Sequence, residues 1–341
     1  MANQSLAVKY RPQTFSDVVE QGSIRKILER QLKTGEIKHA YLFCGGAGTG
    51  KTTCARLFAN EINEGKGSPV EMDAASNNSV EDARAIITQS KTSTLDGSKY
   101  RVYIIDECHM LSNSAWNAML KLLEEPPATA IFIFCTTDPQ KIPKTILSRV
   151  QRYDFQRISQ LGIETRLMWI LDAEGIESET LEAIQYIAKI ADGGMRDAIT
   201  MLDKCLAYSN ELTLENVVEA LGAVDYEVML QLTDDLVYNN VKSMIECIEG
   251  LHRQGKDIKL FIRSYCNFVL DLCKYSVMGS LEFTQLPEYY SDRIKDKEQA
   301  YFERCQSLLT VLLHLSSDIK WDSNPKAMVE ANLYGFCLGG E

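Results

Sequence analysis

The stretch Gly45-Gly46-Ala47-Gly48-Thr49-Gly50-Lys51-Thr52 constrains this chain more than any other, because it fits the pattern G-x-x-x-x-G-K-[ST]. Its glycines let the backbone bend until several N–H groups face one centre. Together with the N-terminus of a following helix, those amides bind phosphate oxygens. Lys51 is placed to reach the β- and γ-phosphates of a nucleoside triphosphate, and the Thr52 hydroxyl to coordinate Mg²⁺. The flanks have the character this reading requires: YLFC before the loop reads as a strand, and TTCARLFANEI after it as a helix.

The surrounding pattern repeats that alternation. Expected strands are Ala40–Cys44, Val70–Met72, Val102–Asp106, Ile131–Thr136 and Tyr153–Phe155. Helical patterns lie between them at Gly22–Lys33, Lys51–Ile62, Val80–Thr94 and Ser114–Leu123. Strands alternating with helices of this length give right-handed crossovers and a mostly parallel sheet covered on both faces. Ligands of such a sheet sit beyond the carboxyl ends of its strands. From about Ser159 the period changes to three and four, predicting helices over Leu161–Ala173, Ser178–Ile190, Arg196–Ala207 and Leu214–Leu221. Gly193-Gly194 breaks two of them. Longer helices are expected over Tyr226–Val237, Val241–Gln254, Ile258–Met278, Gln299–Asp318 and Pro325–Cys337, with a polar loop over Ser280–Lys297. The division this implies is a nucleotide domain over 1–157, a small helical domain over 158–222 and a larger helical domain over 223–341.

Further candidate groups stand at strand ends. Val102-Tyr103-Ile104-Ile105 reads as a buried strand ending in Asp106-Glu107, at the sheet edge where the phosphates would lie. Asp106 would hold Mg²⁺, and Glu107 would orient or deprotonate an attacking water. A solvated strand end is the competing reading of the pair taken alone. The strand Ile131–Cys135 runs into Thr136-Thr137-Asp138, where a hydroxyl serves either to bond the water or γ-phosphate or simply to cap the strand. Arg149, after a short helical turn, and Arg196, opening a helix after the Gly-Gly break, are anion ligands or ordinary surface arginines.

Composition excludes several classes. The chain is 45% hydrophobic and 24% charged over 341 residues, as soluble globular proteins are. No apolar run approaches the roughly 20 residues of a membrane span, and MANQSLAVKYRP lacks the apolar core of a secretory leader, so a cytoplasmic protein with no membrane partner is expected. The ten cysteines include no Cys-x-x-Cys pair and several lie inside apolar runs, which reads as small core residues rather than disulfides or zinc ligands. The net charge of −11 is uneven. Residues 1–157 hold 20 Lys+Arg against 17 Asp+Glu, and residues 158–341 hold 16 against 30. A nucleic-acid partner would meet the first part, and the acidic part would pack against protein.

Seven segments in fixed order carry a family resemblance: KYRPQTF (9–15), GGAGTGKTT (45–53), DAASNNSVEDAR (73–84), VYIIDECHML (102–111), LLEEPP (122–127), TTDPQKIPKTILSR (136–149) and GGMRDA (193–198). The set closely resembles the bacterial DNA polymerase III clamp-loader ATPase, the gamma/tau subunit. The resemblance implies an α/β AAA+ nucleotide-binding (RecA-like) domain followed by an α-helical lid and an α-helical collar. It also implies ATP and Mg²⁺ as cofactors, a pentameric ring with other clamp-loader subunits, a sliding clamp to open, and primer-template DNA held by its backbone. Carried over residue by residue, Lys51, Thr52, Asp106 and Glu107 bind phosphates and metal and activate water. Thr137 resembles the first sensor, Arg149 the finger that completes a neighbour's site, and Arg196 the second sensor. The nucleotide-contacting set would run from Gly45 through Thr53 and include Met195 and Arg196, with Arg11, Pro12 and Val19 on the adenine and ribose side.

The chain departs from the family pattern in three places. The four-cysteine zinc module usual before the DAAS segment is missing, leaving about Gly65–Pro69, so no zinc is expected. Val150 stands where cysteine normally follows the finger arginine. The chain ends after the collar, without the extension of longer members, as a divergent bacterial or a phage version would. For DNA, the start of the helix at Ser112-Asn113-Ser114 offers N–H groups for phosphate or is a plain cap. Two other functions compete with a clamp-loading motor: a catalytically silent scaffold subunit of the same ring, and another AAA+ remodeller such as a branch-migration motor or helicase loader. Intact Lys51, Asp106 and Glu107 speak against the first, and the DAAS and LEEPP-to-TTDPQK segments against the second.

Overall fold

The computed structural model describes residues 4–92, 97–176, 181–209, 211–221, 226–281, 283, 284, 286, 291–322 and 324–339. The chain divides into two compact units, Met1–Asp203 and Lys204–Glu341.

The first unit contains α1 (Leu6–Lys9), α2 (Gly22–Thr34), β1 (Ala40–Cys44), α3 (Lys51–Ile62), β2 (Val70–Asp73), α4 (Val80–Ser90), β3 (Arg101–Asp106), α5 (Asn113–Glu124), β4 (Ala130–Thr136), α6 (Lys144–Leu147) and β5 (Gln151–Asp154). The helices α7 (Gln160–Glu174), α8 (Leu181–Ile190) and most of α9 (Met195–Tyr208) complete it. Five strands form one sheet in the order β2-β3-β4-β1-β5, and every pairing is parallel. Helices must therefore cover both faces, and β1 and β4 are buried at every residue. Side chains alternate between faces. Tyr41 and Phe43 pack with Leu28 of α2 and Phe58 of α3, while Phe132 and Phe134 pack on the other face with Trp116 and Met119 of α5.

Local chemistry sets the helix ends. Ser79 and Asp82 form a reciprocal capping box at α4. The Ser112 hydroxyl accepts from Ala115 N at 3.2 Å and so caps α5. The last strand differs from expectation: β5 covers Gln151–Asp154 rather than Tyr153–Phe155. As the edge strand beside β1 it buries only Tyr153 among its residues, so its polar positions hide it from a search for apolar runs. Phe155 continues the ladder, donating its N–H to Cys44 O at 2.7 Å.

The regular elements of the second unit, among its described residues, are all helices: the end of α9, α10 (Leu214–Leu221), α11 (Tyr226–Val237), α12 (Val241–Arg253), α13 (Ile258–Met278), α14 (Ser291–Ile294), α15 (Gln299–Asp318) and α16 (Pro325–Cys337). Phe261, Tyr265 and Phe268 of α13 share its core with Phe302, Leu308 and Leu312 of α15. The short α14 lies inside the segment expected to be loop. Four residues are too few to show a helical period. The expected ends of the helices at positions 94 and 178, and the expected lid–collar boundary at 222/223, fall outside the described residues. All ten cysteines are free thiols and nine are buried; burial pushes Cys44 up to about 11 and Cys54 to about 12. No described helix is long and apolar enough to cross a membrane.

Candidate nucleotide site

The strand order places the carboxyl ends of β3, β4 and β1 side by side, and each end carries part of the site. Cys44 pairs with Thr136 across β1 and β4. The chain then turns sharply, with Gly45 N donating to Thr136 O at 3.2 Å. Gly45 has φ +152°, and a Cβ there would lie 2.6 Å from Phe155 O, so only glycine fits this approach. The loop closes on its own side chains. Thr49 Oγ1 donates to Gly46 O at 2.9 Å, and Lys51 Nζ donates to Gly45 O at 2.9 Å and Gly46 O at 2.7 Å. Gly50 at φ +100° starts α3, with Lys51 as its first residue.

Lys51 is 6% exposed. Burial pushes its ammonium below the ordinary lysine value, and Glu107 is the strongest of the groups pulling it back. Thr52 Oγ1 donates to Asp106 Oδ2 at 2.8 Å, joining the first turn of α3 to the end of β3. Glu107 follows in the left-handed region, φ 44° and ψ 42°. That conformation is uncommon for a non-glycine residue and persists where the surroundings impose it. Its Oε2 accepts from Thr137 Oγ1 at 2.9 Å and lies 3.2 Å from His109 Nδ1. Lys51, Thr52, Asp106, Glu107 and Thr137 are thus brought together. Thr53 follows Thr52 in the first turn of α3.

The helical part of the first unit packs against the loop through backbone. Met195 N donates to Gly48 O at 3.1 Å, and Gly48, at φ +68°, would place a Cβ 2.9 Å from Gly194 Cα. Arg196 lies in the same first turn of α9, its side chain exposed. A cavity of about 340 Å³ opens there between Gly46, Ala47 and Thr49 on one side and Arg157, Asp192 and Asp197 on the other, within the size range of small-ligand sites. Arg157 pairs with Asp192 at its rim. Buried Gln21 clasps the Gln156 backbone, donating to its O at 2.7 Å and accepting from its N at 3.1 Å. Arg11, Pro12 and Val19 are half-buried and do not line this cavity. Sequence reasoning missed Gln21, Arg157 and Asp192. The only available signal was polarity beside apolar runs, since their partners lie far along the chain.

Arg149 stands apart. Its guanidinium donates to Glu124 Oε1 at 2.6 Å, Thr145 O at 2.7 Å and Ser148 Oγ at 3.0 Å, groups of α5, α6 and the residue after it. Val150 beside it packs on the sheet's core. Ser112 Oγ is engaged in its own helix cap.

Three family models match in succession: DNA polymerase III, delta subunit, over residues 68–159; DNA polymerase III clamp loader subunit, ATPase lid domain, over 162–211; and DNA polymerase III subunits gamma and tau domain III, over 212–334. The DNA polymerase III subunit tau of Bacillus subtilis is 37% identical, the alignment covering 99% of this chain and 64% of that protein. The DNA polymerase III subunit gamma of Buchnera aphidicola (subsp. Schizaphis graminum) is 32% identical, with 97% of both chains covered. Thermotoga maritima RuvB, a Holliday junction branch migration motor, has a TM-score of 0.53 at 19% identity over 67% of this chain and 79% of its own, a likeness of fold alone. Fold and site together define a nucleotide-binding module of the AAA+ ATPase class. The chain spans 64% of the length of the B. subtilis tau subunit and 43% of that of the Escherichia coli one. It belongs to the DNA polymerase III gamma/tau family.

Proposed function

We propose that this chain is the ATP-hydrolysing subunit of a replicative clamp loader. It would bind and hydrolyse ATP, within a pentameric ring of clamp-loader subunits, to open a sliding clamp and release it around primer-template DNA. The observation that carries this reading is the convergence of Lys51, the Thr52–Asp106 pair and the Glu107–Thr137 pair on three adjacent strand ends beside a helical lid. The three-part division at 157/158 and 222/223, with lid and collar, belongs to the same reading.

Each group has a role in phosphoryl transfer, where positioning and charge supply most of the catalysis. Loop amides and Lys51 hold the β- and γ-phosphates. Two hard oxygen donors, the Thr52 hydroxyl and the Asp106 carboxylate, lie 2.8 Å apart, a donor set that fits Mg²⁺, which prefers few protein ligands plus phosphate and water. Thr52 and Asp106 would hold Mg²⁺, which would supply positive charge against the phosphates. Glu107 orients the attacking water or takes its proton, and Thr137 fixes that carboxylate. Arg196 reports the γ-phosphate to the lid, Met195 lies beside it, and Arg11, Pro12 and Val19 face the base and ribose. Arg149, whose contacts lie on α5 and α6, completes the site of a neighbouring subunit. DNA is followed along its phosphates by the first unit. The compartment is the cytoplasm, and zinc is not part of the chemistry.

The test is reconstitution with candidate clamp and companion subunits, followed by ATP turnover with and without primed template. Turnover stimulated by clamp and primed DNA is expected. An assembled ring that binds ATP and does not turn it over at this subunit would overturn the motor reading in favour of a silent scaffold.

A further inference from the structure

The turn that follows β3 carries a second side chain aimed at the catalytic carboxylate. Cys108–Met110 forms a short 3-10 turn after Glu107, closed by Met110 N donating to Glu107 O at 2.9 Å. Cys108 is fully buried and anchors it. The side chain of His109 is 12% exposed, and its Nδ1 lies 3.2 Å from Glu107 Oε2. The same nitrogen lies 3.1 Å from Thr136 Oγ1 at the end of β4, and that hydroxyl also accepts from Asp138 N at 3.0 Å. A carboxylate oxygen only accepts, so this contact is attractive in the tautomer that carries the proton on Nδ1. One imidazole nitrogen therefore lies between the acid at the end of β3 and the hydroxyl at the end of β4.

We propose that His109 is a positioning residue for ATP hydrolysis, one that acts through Glu107 and rests on the reading of Glu107 as the group that orients or deprotonates water. Glu107 sits on left-handed backbone, and its oxygen Oε2 is gripped from two sides, by Thr137 and by His109. Thr137 donates to Oε2 from its hydroxyl at 2.9 Å and its backbone N–H at 3.4 Å, and the His109 nitrogen approaches the same oxygen at 3.2 Å, which together fix the direction of the other oxygen, Oε1. Without the imidazole, the carboxylate keeps the two Thr137 contacts and loses its other polar neighbour. A catalytic group displaced by about 1 Å loses on the order of a hundredfold in rate, and the loss falls on turnover rather than on nucleotide affinity, because the loop amides and Lys51 are untouched.

The experiment measures ATP turnover of the assembled ring and equilibrium binding of a fluorescent ATP analogue for His109→Ala, His109→Asn and Glu107→Gln. The combination His109→Ala with Glu107→Gln completes a cycle. His109→Ala should lower turnover about tenfold to a hundredfold with nucleotide affinity little changed. His109→Asn, whose amide N–H can take the place of Nδ1, should recover most of that loss. In the Glu107→Gln background, His109→Ala should add nothing. Should the alanine variant fail to fold, His109→Phe keeps the ring's bulk without a donor and carries the same expected loss. Wild-type turnover in His109→Ala, or an equal loss with and without Glu107, overturns the proposal while leaving Glu107 in place. Wild-type turnover in Glu107→Gln removes the role of Glu107 itself and the proposal with it.

Discussion

Replacing Gly48 by alanine tests whether the phosphate loop and the lid are coupled through backbone. Gly48 has φ +68°, and the added Cβ would lie 2.9 Å from Gly194 Cα, 3.1 Å from Gly194 C and 3.3 Å from Arg196 N. These are backbone atoms that cannot rotate away. Holding alanine in the left-handed region costs about 1–2 kcal/mol, and relieving the overlap costs about 1–3 kcal/mol more. The displacement also breaks the Met195 N to Gly48 O hydrogen bond of 3.1 Å, a further loss of about 1 kcal/mol. The sum is at least about 3 kcal/mol, which at about 2–4 °C per kcal/mol lowers the transition of a unit of this size by roughly 6–12 °C. Gly46→Ala is the control, since its Cβ would meet only Thr49 Cγ2, at 3.7 Å, an ordinary contact. Differential scanning calorimetry of both variants, with ATP turnover of the assembled ring, provides the readout. Gly48→Ala should be less stable than Gly46→Ala and should lose turnover as the first turn of α9 moves with Arg196. Equal transitions in the two variants would refute the coupling.

Lys51→Ala should abolish ATP binding, because it removes both the phosphate ligand and the donor that braces the Gly45 and Gly46 carbonyls; wild-type affinity in a fluorescent-nucleotide titration would contradict the site. Arg149→Ala should keep nucleotide affinity and lose DNA-stimulated hydrolysis by about 10³–10⁵ in rate; loss of binding with assembly intact would show that it serves its own subunit's site. Burial raises Cys247 and Cys273 to about 11 and Cys305 to about 12. The unfolded chain therefore loses these protons first, and the second unit should lose stability as pH rises from about 9 toward 12. Urea unfolding at pH 8 and pH 10.5 checks this, and a Cys247, Cys273, Cys305 triple alanine variant should show the shallower pH slope. DNA affinity should fall steeply and linearly on a log–log plot against salt, as backbone contacts require; a flat salt profile would point to base reading instead.

What the sequence disclosed follows from the range of the interactions involved. The phosphate loop is a local constellation, and α3, Lys51–Ile62, has the bounds its periodicity predicts. Long amphipathic helices such as α13 and α15 are equally legible, because period and length agree over many residues. The edge strand β5 was displaced by two residues because one exposed face removes the apolar run that marks a strand. Gln21 and Arg157 escaped notice because their contacts depend on where the chain returns, 135 residues later for Gln21. His109 sits in the VYIIDECHML segment in plain view, yet nothing in that string says that its ring turns back toward the acid two positions earlier. Only the left-handed backbone at Glu107 and the buried Cys108 impose that geometry.

The accuracy of the site is inherited from sheet register rather than from the loops. Ile105 pairs with Phe134, so two residues further on Glu107 stands level with Thr136, and Thr137 is the next hydroxyl in reach. Cys44 pairs with Thr136 on the other side of β4, which sets where the phosphate loop begins. One strand therefore positions both halves of the proposed site: the loop proposed to bind phosphate on one side and the acid proposed to activate water on the other. A slip of one residue in β4 would turn Phe132 and Phe134 to the wrong face and separate Thr137 from Glu107 together. The aromatic core holding β4 in place, Phe132 against Tyr103 and Phe134 against Trp116, is for this reason as much a determinant of the proposed site's geometry as any polar residue at the strand ends.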